Sequence, residues 1–447
     1  MNTIITLLQF FAALAILVTL HELGHFLAAR AFGIKVEKFY LFFDAFGIKL
    51  FKFKKGDTEY GIGWLPLGGY VKIAGMVDES LDTNQLKSEP QPWEFRSKPA
   101  WQRLIVMVGG VFVNLVLGIF VISGLIFSQG ETYIPNSTVN ELGGVYASPD
   151  ARKIGFKTGD KIMALNGKPV ENLLAEFGDP SFLTKTKKEV QINRNGKDTT
   201  ILLPENMEDK ISLTSELPFI SPRYAFSIGK IVGGSPADKA GIKAGDKITM
   251  IDSQPVASFF EFKEMLTARA GKKSKMILTD SSNNTRETSV EISEDGTIGF
   301  QPAIGGFEGK EKKISYSLLE SVSQGSTKSF GMISANLAGL KKVVSGKVNA
   351  KSSLAGPIGI AQMYGPRWDW INFWTLTATL SLALALMNIL PIPALDGGHV
   401  MFLLYEIIAR RPVNEKVLYI GQLIGMAILL SLFVFIFWVD ISRLLGF

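Results

Sequence analysis

His21, Glu22 and His25 form an HELGH motif that lies directly against the uncharged apolar run 4–20, so a metal-type motif closes what reads as a membrane span. This juxtaposition restricts the fold more than any other feature of the chain. The apolar run asks for lipid around it, while two imidazoles and a carboxylate ask for polar partners. Ionisable groups in a span therefore line a cavity or serve a site. On a helix the i, i+4 spacing stacks His21 and His25 on one face, where two ring nitrogens can hold one Zn²⁺ with Glu22 beside it. The chain has three histidines, the third being His399, and no cysteine, which removes disulfides and cysteine-ligated metal sites.

Further apolar stretches at about 104–127, 371–390 and 417–438 join 4–28 as four spans, each near the length that crosses a bilayer. Composition hides them, because a polar middle dilutes the apolar ends to an ordinary 47% hydrophobic. An even number of spans puts both termini on one side. Basic residues near the span ends gather at Arg30, Lys35, Lys38, Arg96, Lys98 and Arg103, and again at Arg410, Arg411 and Lys416. By the positive-inside rule those loops are cytoplasmic, and segment 129–370 and both termini face outward. No Lys or Arg precedes the first span, so it lacks the basic region of a cleaved signal peptide. Trp368, Trp370, Trp374 and Trp438 lie near span ends, as an interfacial belt or a packed core would place them. The net charge of +6 is spread out, which gives no nucleic-acid footprint.

The outer segment repeats itself. Gly155, Gly159, Asp160, Lys161 and Ile162 recur as Gly241, Gly245, Asp246, Lys247 and Ile248, and Pro169 and Val170 recur as Pro255 and Val256, at a constant offset of 86 residues. That period is too long for a solenoid and suits two tandem β-rich domains. The second copy, from Ser235 and Pro236 to Ile248, resembles the PDZ family in its bacterial form; the first is degenerate around 151–155. Such domains accept an extended peptide end at a strand edge or act as spacers and size filters, and the turn residues do not choose between these. Downstream, Phe330, Ile333, Leu337, Leu340 and Val344 recur at helical spacing, so an amphipathic helix is expected with its apolar face on lipid, on the tandem domains or on a substrate.

Two histidines need a third protein ligand, and Asp396 is the best candidate, after a long uncharged run broken by Pro391 and Pro393. Prolines free backbone groups that must then line a cavity. Asp396 could instead cap a helix or turn beside Gly397, and His399 is a weaker candidate ligand.

With these residues in place the chain resembles the site-two protease family of intramembrane zinc metalloproteases, in its bacterial RseP type with two PDZ domains. The resemblance rests on HELGH at 21–25 together with the NxxPxPxLDG pattern from Asn388 through Pro391, Pro393, Leu395 and Asp396 to Gly397. It implies that His21, His25 and Asp396 hold the zinc, that Glu22 is the catalytic base, and that Asn388 contacts the substrate backbone or the developing oxyanion. Gly61, Pro66, Leu67, Gly68, Gly69, Tyr70, Val71 and Lys72 look like the family's membrane-reentrant β-structure, and the alternation in Lys49, Leu50, Phe51, Lys52, Phe53 and Lys54 also reads as a strand. An edge near the metal could hold an unwound substrate, or the hairpin could only pack the bundle. Gly110 and Asn114 match the family's GxxxN position, with Val111 where a proline is common, and are read as helix packing.

The implied fold is a polytopic α-helical membrane protein with four transmembrane helices, a cytoplasmic-side membrane-reentrant β-structure and two extracytoplasmic α/β PDZ domains. Its expected divisions are helix 1 with HExxH (1–30), the cytoplasmic loop with β-structure (31–98), helix 2 (99–128) and PDZ domain 1 (129–222). PDZ domain 2 (223–308), the amphipathic helix and linker (309–370), helix 3 with the LDG motif (371–398) and helix 4 (413–440) follow. By the same resemblance it cuts peptide bonds inside single-span membrane proteins of anti-sigma-factor type already shortened by another protease, and remnant signal peptides, in a bacterial inner membrane. The lipid bilayer and peptide C-termini at the PDZ domains are the other expected partners. Two other readings differ by class: a non-catalytic PDZ scaffold, indifferent to Glu22, and a metal carrier that moves ions and cleaves nothing.

Overall fold

The computed structural model describes residues 2–66, 68–76, 89–178, 188–204, 217–307, 309–345 and 356–445, in two units: Met1–Gly130 with Ser315–Leu445, and Glu131–Ile314. Leu67 and parts of the expected divisions 31–98, 129–222, 223–308 and 309–370 lie outside the described residues.

The first unit begins with α1 (Asn2–Ala31), which has neither glycine nor proline before Gly24 and so runs unbroken into the HELGH motif. A sheet follows, formed by β1 (Val36–Leu41), β2 (Lys49–Lys55), β3 (Thr58–Gly63) and β4 (Tyr70–Ile73) in the order β2-β3-β1-β4. β1 runs parallel to β3 and antiparallel to β4, which makes β2 and β4 the edges. The expected Lys/Phe strand is β2, and it leaves Leu50, Phe51 and Phe53 exposed among lysines. The next helix, α2 (Ala100–Gln129), crosses α1 at glycines: a Cβ on Gly109 would sit 2.6 Å from the Gly24 carbonyl oxygen, so the two backbones touch.

The second unit opens with β5 (Glu131–Tyr133), α3 (Asn136–Glu141), β6 (Val145–Ala147), α4 (Pro149–Ile154), β7 (Lys161–Leu165) and β8 (Lys168–Pro169). It continues with α5 (Leu173–Gly178), β9 (Lys188–Arg194), β10 (Lys197–Leu203) and β11 (Ile220–Pro222). A second body holds β12 (Phe226–Ile231), α6 (Pro236–Lys239), β13 (Lys247–Ile251), β14 (Gln254–Pro255), α7 (Phe259–Thr267), β15 (Lys273–Thr279), β16 (Thr285–Glu291) and β17 (Phe300–Ile304). Finally β18 (Lys312–Ile314) pairs with β5, so the two ends of the unit close on each other.

The 86-residue repeat is structural. Sheets β10-β9-β7-β8 and β14-β13-β15-β16 correspond, and each Gly-Asp pair turns into its strand with the glycine at positive φ. Asp160 and Asp246 are buried, and each accepts a backbone N–H, from Lys157 and Lys243, and an arginine, Arg194 and Arg286. The first copy is not degenerate in shape: Ser148 caps α4 as Ser235 caps α6, each with proline following. Tyr146 donates to Glu264 and Arg223 pairs with Glu261, joining the first body to α7.

The chain then returns to the first unit through α8 (Leu318–Val344), α9 (Pro357–Met363), α10 (Trp370–Ile389), α11 (Asp396–Ala409) and α12 (Glu415–Leu445). Among the described residues, four helices are long and apolar enough to cross a membrane, over Thr3–Ala31, Ala100–Gln129, Trp370–Ile389 and Lys416–Ser442. The helix expected to reach residue 398 stops at Ile389; after an irregular turn over 390–395, Asp396 starts the separate α11. α8 forms, but its packed face is Ser321, Gly325 and Ser329, not the apolar row: Phe330 and Leu337 stay exposed. Small residues let backbones approach, and a Cβ on Gly325 would lie 2.8 Å from Ser123 Cα of α2.

Buried polar side chains hold α9 at both ends. Asp440 on α12 accepts the N–H groups of Gly356, Ile358 and Gly359 at 2.9–3.2 Å, while Gln9 on α1 donates to the Gly365 carbonyl at 3.1 Å. Asp440→Ala leaves three amides without their acceptor and is expected to lower stability by about 2–4 kcal/mol, with Asp440→Asn intermediate. Thermal unfolding in detergent checks this, and an unchanged midpoint for the alanine variant would contradict it.

Candidate metal centre

The site is assembled from opposite ends of the chain. α1 brings His21, Glu22 and His25, and α11 brings Asp396 as its first residue. His21 Nε2 and His25 Nε2 are 3.3 Å apart, and they stand 3.3 and 3.4 Å from Asp396 Oδ2. The edge of a tetrahedron with bonds of about 2.0–2.1 Å is about 3.3 Å, so the three atoms already have the spacing of ligands around one zinc ion. That Oδ2 is buried and makes no hydrogen bond, and the carboxylate caps nothing, although it stands at a helix start. A buried anionic oxygen aimed at two imidazoles fits a cation between them. Two imidazoles and one carboxylate also leave the fourth position of a catalytic zinc site open.

Among the described residues, His21, His25 and Asp396 are the group of His, Asp or Glu able to hold a metal ion. His399, the weaker candidate, lines the same cavity without joining them. Asn388, on the last turn of α10, places Nδ2 3.3 Å from His21 Nε2.

The turn that delivers Asp396 depends on glycine: Cβ atoms on Gly397 and Gly398 would meet the backbone of 389–393. Gly425 of α12 is pressed onto Pro393 in the same way, so the second of the two prolines and the last span fix each other.

Helix α2 supplies a floor that sequence reasoning missed. Val106, Gly110 and Asn114 follow one another at four residues on one face. The Val106 carbonyl lies 2.8 Å from His25 Nδ1, and Asn114 Nδ2 lies 3.2 Å from His21 Nδ1. Between them, a Cβ on Gly110 would lie 2.6 Å from His21 Cε1 and closer still to His25 Nε2. The GxxxN spacing was visible; that its two ends lie under the two rings was not, because it depends on how α1 crosses α2.

A cavity of about 630 Å³ opens from these groups. One wall is β4 with Gly69, where a Cβ would lie 3.6 Å from Glu22 Cγ. Lys38 and Asp44 also line it, and Tyr70 of β4 donates to Asp44 at 2.9 Å, so the cavity has a polar, wettable side.

Comparison with known proteins agrees with this geometry. The profile described as Peptidase family M50 matches residues 9–432. A Neisseria meningitidis protein described as a candidate zinc metalloprotease is 31% identical over 99% of this chain and 100% of its own. The regulator of sigma E protease of Haemophilus influenzae is 29% identical over 98% of both chains. Zinc metalloprotease RasP of Bacillus licheniformis is 29% identical over 99% of this chain and 100% of its own.

Proposed function

The chain belongs to peptidase family M50 and is a multi-pass zinc metalloprotease of the RseP type, and from that premise we propose that it hydrolyses peptide bonds inside the membrane-spanning segments of single-span proteins. His21, His25 and Asp396 hold the zinc, Glu22 is the general base, and Asn388 binds the carbonyl under attack. The observation that carries this reading is the meeting of three ligand atoms at 3.3–3.4 Å, two from a helix of membrane-crossing length and one from the start of the short helix that follows another.

When bound, zinc supplies Lewis-acid polarisation of the scissile carbonyl and water activation near neutral pH. The Glu22 carboxylate, in the cavity beside the two ligand histidines, takes a proton from that water and returns it to the leaving amine nitrogen. Asn388, whose Nδ2 stands 3.3 Å from the metal-facing nitrogen of His21, donates its amide N–H to the carbonyl oxygen as negative charge builds there. A peptide bond in a helix has its carbonyl engaged and its flanks crowded, so the substrate must become extended at the cut. β4 is an edge strand lining the cavity, and its open side pairs with that extended segment.

The β2 edge, with Leu50, Phe51 and Phe53 exposed among lysines, supports a sheet that dips into the cytoplasmic face of a bacterial inner membrane. Both termini and unit Glu131–Ile314 then lie on the outer side, where its two repeated bodies act as PDZ domains that exclude substrates with large outer domains. The names of relatives, regulator of sigma E protease, support anti-sigma-factor-type substrates, and the size exclusion proposed for the outer unit would require these to be shortened by an earlier cut.

The test is cleavage of a tagged single-span substrate by the purified protein, with its outer domain either intact or removed. The shortened substrate is expected to be cut and the intact one spared. Equal rates for both would sink size exclusion, and no cut inside any single-span segment would sink the intramembrane reading.

A further inference from the structure

Each histidine ring has two nitrogens in contact with the chain, and only Nε2 concerns the metal. Their Nε2 atoms face each other and Asp396 Oδ2, so on the reading that His21 and His25 ligate zinc, each Nε2 carries the lone pair and each Nδ1 carries the proton. A buried ring N–H needs an acceptor. His25 has one, the Val106 carbonyl at 2.8 Å. Against His21 Nδ1 stands the side chain of Asn114, fully buried in α2, with Nδ2 at 3.2 Å and Oδ1 without a hydrogen-bond partner. A half-turn of the amide about Cβ–Cγ exchanges these two atoms without changing the shape of the side chain. It places the unpartnered oxygen on the ring N–H.

We infer that Asn114 is the positioning residue of the metal centre, its amide oxygen accepting the His21 Nδ1 proton and so fixing the tautomer and ring angle that turn Nε2 to the zinc. The backbone at this point is anchored independently, since the Ser381 hydroxyl of α10 donates to the Asn114 carbonyl at 2.7 Å. One helix thus orients both ligands, through a carbonyl at Val106 and through an amide two turns on. Groups that accept a ligand histidine's second N–H raise its basicity and hold its orientation, and removing them weakens metal binding by about 10–100-fold.

The test is zinc affinity, measured on metal-stripped full-length protein in detergent by competition with a coloured chelator. Asn114→Leu keeps the bulk, removes the acceptor and is expected to bind zinc about 10–100-fold more weakly. Asn114→Asp keeps an acceptor oxygen and is expected to stay close to the wild type. Ser381→Ala loosens the same residue through its backbone and is expected to lower thermal stability while leaving zinc affinity unchanged, which separates ring orientation from helix packing. Wild-type affinity in Asn114→Leu, or a loss in Asn114→Asp as large as in Asn114→Leu, would overturn the inference. If Asn114→Leu does not fold, Asn114→Ala carries the same expectation. A wild-type protein that takes up no zinc would overturn the metal reading itself, an outcome distinct from a failure at Asn114.

Discussion

Glu22→Gln is expected to lower cleavage of a shortened single-span substrate by about 10²–10⁴-fold while zinc content stays at the wild-type level. The two halves of this expectation have separate causes. Glutamine has the shape of glutamate and keeps the packing of α1 beside Gly69, and the group able to hold a metal consists of His21, His25 and Asp396 without Glu22. Zinc should therefore remain. What glutamine lacks is the ability to take a proton, and the step that fails is the transfer from water to the leaving amine. Assaying cleavage and zinc on the same preparations makes the outcome readable. Equal cleavage by both proteins would remove Glu22 from the reaction. Loss of zinc together with activity would mean that the carboxylate supports the metal, and the base would have to be sought elsewhere on the cavity wall.

The parts of this molecule legible in the sequence are those where one short stretch carries both the signal and the chemistry. HELGH sits on its own helix, and the NxxPxPxLDG run both breaks α10 and delivers Asp396, so the two halves of the candidate centre could be named before anything was known of their distance. Helix α11 was not legible. Its fourteen residues are too few for a span, and Glu406 interrupts them. That glutamate is buried against Arg103 of α2, a partner 303 positions away. The apolar row of α8 misled for a physical reason: periodicity identifies the face that avoids water, and beside lipid that need not be the face that packs on protein. In the repeat, the Gly-Asp turns were legible and the arginines that neutralise them were not. Arg194 comes from β9 and Arg286 from β16, which are not equivalent strands, so no constant offset connects them.

Gly110 was read from the sequence as helix packing, but its place under the two rings was not legible, and that place leads to the second strong expectation. Gly110→Ala should cost zinc affinity by about 10²-fold or more, and cleavage with it, although alanine is the better helix former. The added methyl group would press on His21 Cε1 and His25 Nε2 together, so no single rotamer change relieves it. Backing the helix away would open the backbone contact of Gly24 with Gly109 one residue before and draw Val106 and Asn114 off the rings, so neither response leaves the rings as they are. The strain must then go into the rings, whose nitrogens need their 3.3 Å spacing to share an ion. Gly118→Ala on the same helix is the comparison: its methyl group would meet chiefly the Leu382 side chain, which can give way. It is expected to lower stability by about 1–3 kcal/mol and leave zinc affinity alone. Chelator competition and thermal unfolding on both variants decide the matter, and a Gly110→Ala protein with wild-type zinc affinity would show that the rings do not rest on α2 as described.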